Sequence, residues 1–495
     1  MKTDHDSSSE SPISKNKPVF QVLFTGLFCK HFDLMLVSST PSHHPRLVPV
    51  RDRVFDVLLY FCNREDEDIK LKALSGLGFL CNRHADFMLT TEVKDLYWKI
   101  LTDPYISVKQ LCLVVRNLHL YLVEEDERMR QADAEWKAHA KEEDLKEMGD
   151  VQSGMSSSVM QMYLKQVMEC MLHKQSMVRM AALQVIVLTL GQGLVHPVQC
   201  VPYLVAMGSD PESAIRVKAD QQLTHIDQRY PGFIQMKALA GLKMSYKLQE
   251  ILNSETEEYI RSMREDNHHY ALCSHLYSMI RSNRSHRRAI LLSLLNLFDE
   301  HVKSDLNLLV FVADNLSSFP YQAQDEPLFI MHHIEIIVSV SGANLLQSFK
   351  DSFCSNQPSR PPSRASQNSD SGRPSRTAYE DDDEDDAESL IERIPEEPTQ
   401  LLECCVASQA VIMLLVLKQH LKDLYGFRDN TIHRYSPTEA AKVYEKAVNR
   451  KSLVHFNPAR ALDLLKTGQP KPPLSEQEKK DIVEEYLDVS SICIF

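Results

Sequence analysis

One pattern recurs along the chain and limits what it can become: a polar break, an apolar residue followed by lysine or arginine, then small and apolar residues at helical spacing. It occurs at Ile69-Lys70 in EDEDIKLKALSGLGFL, at Val108-Lys109 in DPYISVKQLCLVVRNL, at Val178-Arg179 in KQSMVRMAALQVIVLTL and at Ile215-Arg216 in SDPESAIRVKADQQL. The apolar members lie 39, 70 and 37 residues apart. The long interval resolves into one repeat of the same period accompanied by an insertion of about 30 residues, the size class of helical-repeat decorations. That insertion is visible as the polar and charged stretch from Glu124 to Ser158, closing in a Gly/Ser loop.

A period in the high thirties, with two helices per unit, is the signature of HEAT repeats. Neither helix of such a unit can bury its apolar stripe alone, so pairs must stack and the small and branched residues of each second helix line a continuous core. The expected fold class is therefore all-α, a HEAT-repeat α-solenoid, with Ala182, Leu183, Ala219 and Leu223 buried. Asp103-Pro104 and Asp210-Pro211 suit the turn before the second helix, because Asp caps and Pro supplies a helix-compatible first-turn φ. The basic residue after Ile or Val is expected to face solvent or a neighbouring carboxylate. Only 14 glycines in 495 residues agrees with helices over sheets.

Residues 1–50 read as irregular and 51–350 as the solenoid, since RRAILLSLLNLFDEHV and EPLFIMHHIEIIVSVSGANLLQSF continue the helical pattern. Between 355 and 397, Ser, Pro, Arg and Asp replace any stripe that could be buried, which predicts a disordered linker. Helices are expected again over 398–466. There LLECCVASQAVIMLLVLKQHLKDLYGF reads as one buried helix ending near Gly426, and SPTEAAKVYEKAVNR as another with Ser436 as cap and Pro437 in its first turn. The tail, 467–495, carries one short helix at SEQEKKDIVEEYL.

The net charge of −13 argues against a uniformly basic nucleic-acid binder, yet eight acids fall between Glu380 and Glu388, so local basic surfaces remain available elsewhere. Eleven cysteines, odd in number and without CxxC spacing, indicate reduced thiols rather than a disulfide framework or a zinc site. The acidic N-terminus is unlike a signal peptide and the apolar runs are short or interrupted by charge, so the expectation is a soluble, intracellular protein with no membrane partner. There is no GxxxxGK[ST] loop and no HExxH. The GxG in GLGFLC and in GQGLVH sits in or beside helical repeats, where close helix packing is its expected use. His268-His269 and His332-His333 are adjacent residues, which on a helix diverge by about 100° and make poor joint ligands. No catalytic residue, metal or cofactor is expected.

The densest basic group is Arg281, Arg284, Arg287 and Arg288 in MIRSNRSHRRAILL. It has two readings: contact with DNA phosphates, which dominate non-specific affinity, or ion pairs that brace neighbouring helices. Ser363, Ser366 and Ser375 adjoin arginines, as phosphorylation sites for basic-directed kinases do. Gly372-Arg373-Pro374 is similar to the centre of an AT-hook, although the acidic run beyond it would repel DNA. On these features alone, a generic helical-repeat adaptor in transport or signalling is one reading of the chain.

The stretches DLKEMGDVQSGMSSSVMQMYLKQV, TLGQGLVHPVQCVPYLVAMGSDPE, ALCSHLYSMIRSNRSHRRAILLSLLNLFDE, EPLFIMHHIEIIVSVSGANLLQSF, LKQHLKDLYGF and SPTEAAKVYEKAVNRK carry a more specific message. From about Val54 to Leu487 the sequence resembles the C-terminal HEAT region of the Nipped-B family of cohesin loaders, also called Nipped-B-like, delangin or adherin. The first fifty residues and the ending VSSICIF do not share this resemblance. The resemblance implies a nuclear, chromatin-associated scaffold without an ATPase of its own. Such a scaffold binds the kleisin and the SMC ATPase heads of cohesin together with DNA of any sequence, and stimulates cohesin's ATP hydrolysis. It thereby supports sister-chromatid cohesion, chromatin looping and gene regulation. The family's loader partner subunit is implied to bind an N-terminal region outside this stretch.

Overall fold

In a computed structural model the described residues are 21–22, 24–29, 31–32, 50–139, 145–255, 259–263, 270–299, 305–354, 387–395, 397–439, 443–452, 454–458 and 474–493. The chain divides into two compact units, Met1–Leu252 and Asn253–Phe495.

In the first unit, α1 (Val50–Cys62), α2 (Glu67–Arg83), α3 (Thr91–Thr102), α4 (Val108–His139), α5 (Leu145–Cys170), α6 (Ser176–Gly191), α7 (Val201–Gly208), α8 (Ser213–Arg229) and α9 (Phe233–Leu252) follow in order. The four copies of the repeated pattern open α2, α4, α6 and α8. Those helices stack in succession, α2 on α4, α4 on α6 and α6 on α8, which is why the pattern carries small residues on one face. Ala182, Leu183, Ala219 and Leu223 are all buried, as expected. Close approach is built in at Gly78, where an added Cβ would lie 2.3 Å from Asn117. Asn117 uses that space to donate from Nδ2 to the Leu74 carbonyl (2.9 Å) and to Tyr97 Oη (3.0 Å), tying α4 to α2 and α3. The GLGFLC glycines thus serve helix packing.

The insertion 124–158 does not close in a Gly/Ser loop. It is drawn into helix on both sides, and GMSSS lies within α5. Its serines have partners that compensate their weak helix propensity: Ser156 Oγ lies 3.3 Å from Tyr121 Oη, and Ser157 Oγ donates to the Leu194 carbonyl at 3.1 Å.

The second unit contains α10 (Ser274–Ile280), α11 (Arg284–Asp299), α12 (Leu306–Ser318), α13 (Asp325–Cys354), α14 (Ala387–Glu392), α15 (Thr399–Tyr425), α16 (Asp429–His433) and α17 (Glu476–Cys493). α15 is the buried helix expected from sequence, and it ends where Gly426 adopts φ 64°. It packs against α12, α13 and α17. Among the described residues, Asp325–Phe353 of α13 and all of α15 are long and apolar enough to cross a membrane. Most of that stretch of α15 is buried by its packing on α12, α13 and α17, whereas α13 leaves Ile336 and Val340 exposed.

Four further expectations are corrected here: the stretch 1–50, read as irregular, is helical at residues 21–22 and 24–29, and three others follow. SPTEAAKVYEKAVNR is not a helix over its described residues. Ser436–Glu439 form a turn, and residues 443–452 and 454–458 run as an irregular strap that pairs antiparallel with 322–325 through Val448 N–H to Gln322 O (2.8 Å), Gln324 N–H to Lys446 O (2.9 Å) and Asp325 N–H to Tyr444 O (3.0 Å). Tertiary backbone bonds here outcompete local helix propensity. The predicted linker is also shorter at its C-terminal side: Ala387–Glu392 is helical and Leu390 is buried. Finally, α17 is longer than the short tail helix expected and buries Ile482, Val483 and Tyr486 in the core with Phe349, Phe353 and Leu401. Its start was legible as a capping box, with Ser475 N–H donating to Glu478 Oε2 (2.7 Å) and Glu478 N–H to Ser475 Oγ (3.3 Å). Ser363, Ser366, Ser375, Gly372-Arg373-Pro374, most of the acidic run and His268-His269 lie outside the described residues.

Candidate functional site: arginine clamps on a C-terminal strap

The four arginines singled out by sequence do converge, on the start of α13. Asp325, 1% exposed, accepts from Arg284 (3.2 Å), Arg287 (3.1 Å), Arg288 and the Tyr435 hydroxyl (3.0 Å). Helix spacing explains the convergence: residues 284, 287 and 288 share one face of α11, and its first turn lies beside that of α13. Arg281 faces the same region and donates to the Pro320 carbonyl at 2.6 Å. Burial alone would raise the Asp325 carboxyl, but hydrogen bonds from Arg288, Arg284 and Arg287 hold it down at about 2.

Two of these arginines also hold the segment that follows α16, Arg287 at the strap and Arg288 at the turn before it. Arg287 bonds Glu445 at 2.6 Å, and Arg288 bonds the Pro437 carbonyl and Tyr435 Oη, both at 2.9 Å, while its guanidinium lies over Phe329. Next to Asp325, Glu326 accepts from the Tyr277 hydroxyl (2.5 Å) and from the Gln322 and Ala323 N–H groups. The far end of the strap has a second clamp. Arg261 forks onto buried Asp314 at 2.7 and 2.8 Å and donates to the Phe456 carbonyl at 3.1 Å. Burial pushes the Asp314 carboxyl up in spite of Arg261.

The geometry therefore favours bracing over phosphate contact for Arg281, Arg284, Arg287 and Arg288. Sequence reading did not find Asp325, Asp314, Arg261 or Glu445. None has a local signal apart from Asp325 itself, an acid opening a long apolar helix.

In the first unit, Arg179 of the repeated pattern is buried and forks onto Asp210 of the Asp-Pro turn at 2.5 and 3.0 Å, which settles its choice between solvent and a carboxylate. Asp210 Oδ1 also accepts from Glu212 N–H at 2.9 Å, so one carboxylate shapes the turn and anchors the preceding repeat.

Burial pushes the thiols of Cys62, Cys170 and Cys200 up to about 12, away from the reactive thiolate form. Among the described residues no group of three His, Cys, Asp or Glu side chains is placed to hold a metal ion. His332 and His333 are packed with Tyr435 and Phe329 respectively.

Stacked helices, with charged clusters bonded between them, define a helical-repeat protein. The family described as "Sister chromatid cohesion C-terminus" (Nipped-B) matches residues 156–337. Across 99% of the chain it is 51% identical to a Nipped-B-like protein of Homo sapiens, and across 95% it is 37% identical to the Nipped-B protein of Drosophila melanogaster. These alignments cover 18% and 23% of those proteins, so the chain spans about a fifth of the length of the curated relatives it matches. A solved structure, the Chaetomium thermophilum cohesin loader SCC2 C-terminal fragment, superposes with a TM-score of 0.66 at 13% identity, over 99% of this chain and 31% of that one. The chain belongs to the Nipped-B family.

Proposed function

We propose that this chain is the cohesin-engaging C-terminal part of a cohesin-loading factor, a nuclear, chromatin-associated scaffold rather than a catalyst. The observation that carries this reading is 51% identity over 99% of the chain to a Nipped-B-like protein, in a fold shared with a cohesin loader. In this reading the stacked repeats present side chains to the kleisin and the SMC heads of cohesin, to DNA of any sequence, or to both. They stimulate the cohesin ATPase, and through it support sister-chromatid cohesion, looping and gene regulation. In this reading the DNA-facing surface lies away from Arg281, Arg284, Arg287 and Arg288, which bond Pro320, Asp325 and Glu445 within the chain.

The test is a purified-component assay. The chain should co-purify with the kleisin and raise DNA-dependent ATP hydrolysis by cohesin. Binding without stimulation would reduce its function to docking, and no binding at all would leave a generic adaptor as the better reading.

A further inference from the structure

We infer that Ser436 is a phosphorylation site whose phosphate fastens the C-terminal strap. Ser or Thr stands before Pro at Ser11, Thr40 and Ser436 in this chain, and Ser436 is the one among the described residues. It lies in the turn between α16 and the strap, outside any helix, flanked by exposed Arg434, Thr438 and Glu439. Its hydroxyl is paired at the surface with Thr438 Oγ1 (2.8 Å). A Ser-Pro dipeptide in such a turn is what a proline-directed serine/threonine kinase accepts. In the transfer, Ser436 Oγ attacks the γ-phosphorus of ATP, the bond to the β-phosphate oxygen breaks, ADP leaves, and the hydroxyl proton passes to the kinase's base.

What the phosphate would do follows from the charges around it. Arg288 holds both neighbours of Ser436, the Tyr435 hydroxyl and the Pro437 carbonyl, each at 2.9 Å. Arg284, Arg287 and Arg288 face Asp325 and Glu445, with Glu326 acting on Arg287 as a third acid, and Arg434 is an exposed cation two residues before the acceptor, with exposed Glu439 three residues after it. A group of about −1.5 to −2 charge, with three strong acceptor oxygens, lies beside exposed Arg434 in a turn whose two neighbouring residues Arg288 already holds. Phosphate here ties the turn to α11 and holds down the strap that follows. This inference stands independently of the proposed role in cohesin loading, since it rests on the clamp alone.

The experiment uses the full chain with Ser11→Ala and Thr40→Ala, treated with ATP and a purified proline-directed kinase. The folded protein should take one phosphate at Ser436, mapped by mass spectrometry, and none after Ser436→Ala. Pro437→Ala, which keeps the carbonyl that Arg288 uses, should also block incorporation. Tryptic cleavage after Lys446, which requires the strap to lift from Gln324, should become severalfold slower on phosphorylation, with less protection at raised salt. Phosphate entering only the denatured chain, or only at other residues, overturns the site. Phosphate at Ser436 with unchanged or faster cleavage after Lys446 overturns the fastening.

Discussion

Asp325 accepts three guanidinium groups and a phenol while almost wholly buried, so its charge has no solvent to fall back on. Breaking a buried pair by removing one member costs about 3–5 kcal/mol, because the partners are left charged and unpaired. Asp325→Asn keeps the shape and removes the charge, and it should lower the melting temperature of the second unit by several degrees in a thermal scan. The sign of the pH effect follows from the depressed carboxyl. Its stabilising contribution is complete above the ordinary carboxylate range and is lost as the pH falls toward about 2, so the gap between wild type and Asp325→Asn should close in acid. Changing Arg281, Arg284, Arg287 and Arg288 together to Glu separates bracing from DNA contact. The variant should melt earlier, while its folded fraction keeps the DNA affinity and salt slope of the unchanged chain. A stable variant with weakened, flatter salt-dependent binding would return the cluster to the DNA reading.

Among elements, those fixed by local periodicity were legible and those fixed by distant partners were not. The start of each of α2, α4, α6 and α8 is marked by its apolar-basic pair, and Ala182 and Ala219 were correctly placed inside because helix stacking leaves room only for small side chains at those contacts. The capping box of α17 is likewise a four-residue signal. The strap is different. Arg288 meets Tyr435 across 147 residues of sequence, and no local pattern announces that a segment rich in helix-forming Ala, Lys and Glu will be held extended. The same limit hid Asp325 and Asp314, whereas Arg179 and Asp210 could be matched through the repeat. For that pair, Asp210→Ala should destabilise the first unit by about 3–5 kcal/mol, measured by chemical denaturation, since Arg179 is left buried without its acid. A loss within a few tenths of a kcal/mol would show that the His173 and Lys174 carbonyls suffice to hold Arg179.

At the scale of the whole molecule, the sequence suggests that residues 355–397 separate a solenoid from an appendage, but the cores on either side are one. Phe349 and Phe353 of α13, Leu390 of α14, Leu401 and Cys405 of α15, and Ile482, Val483 and Tyr486 of α17 form a single hydrophobic cluster, to which helices on both sides of residues 355–386 contribute. A cut between residues 355 and 386 leaves all of these residues in the two fragments, and their joint burial supplies a stabilisation of roughly 25 cal/mol per Å² of apolar surface removed from water. Placing a specific protease site between residues 355 and 386 and cutting it should therefore yield two fragments that co-elute at the uncut size under native conditions and separate only in denaturant. Removing α17 at the same time should reverse that outcome. The cluster would lose Ile482, Val483 and Tyr486 and expose the faces of Phe349 and Phe353 that they cover, so the nicked pieces should dissociate or aggregate. If the nicked chain falls apart with α17 present, the C-terminal helices are an appendage after all. If it holds together without α17, the direct packing of α13 on α15 is sufficient and α17 is a cover rather than a fastening.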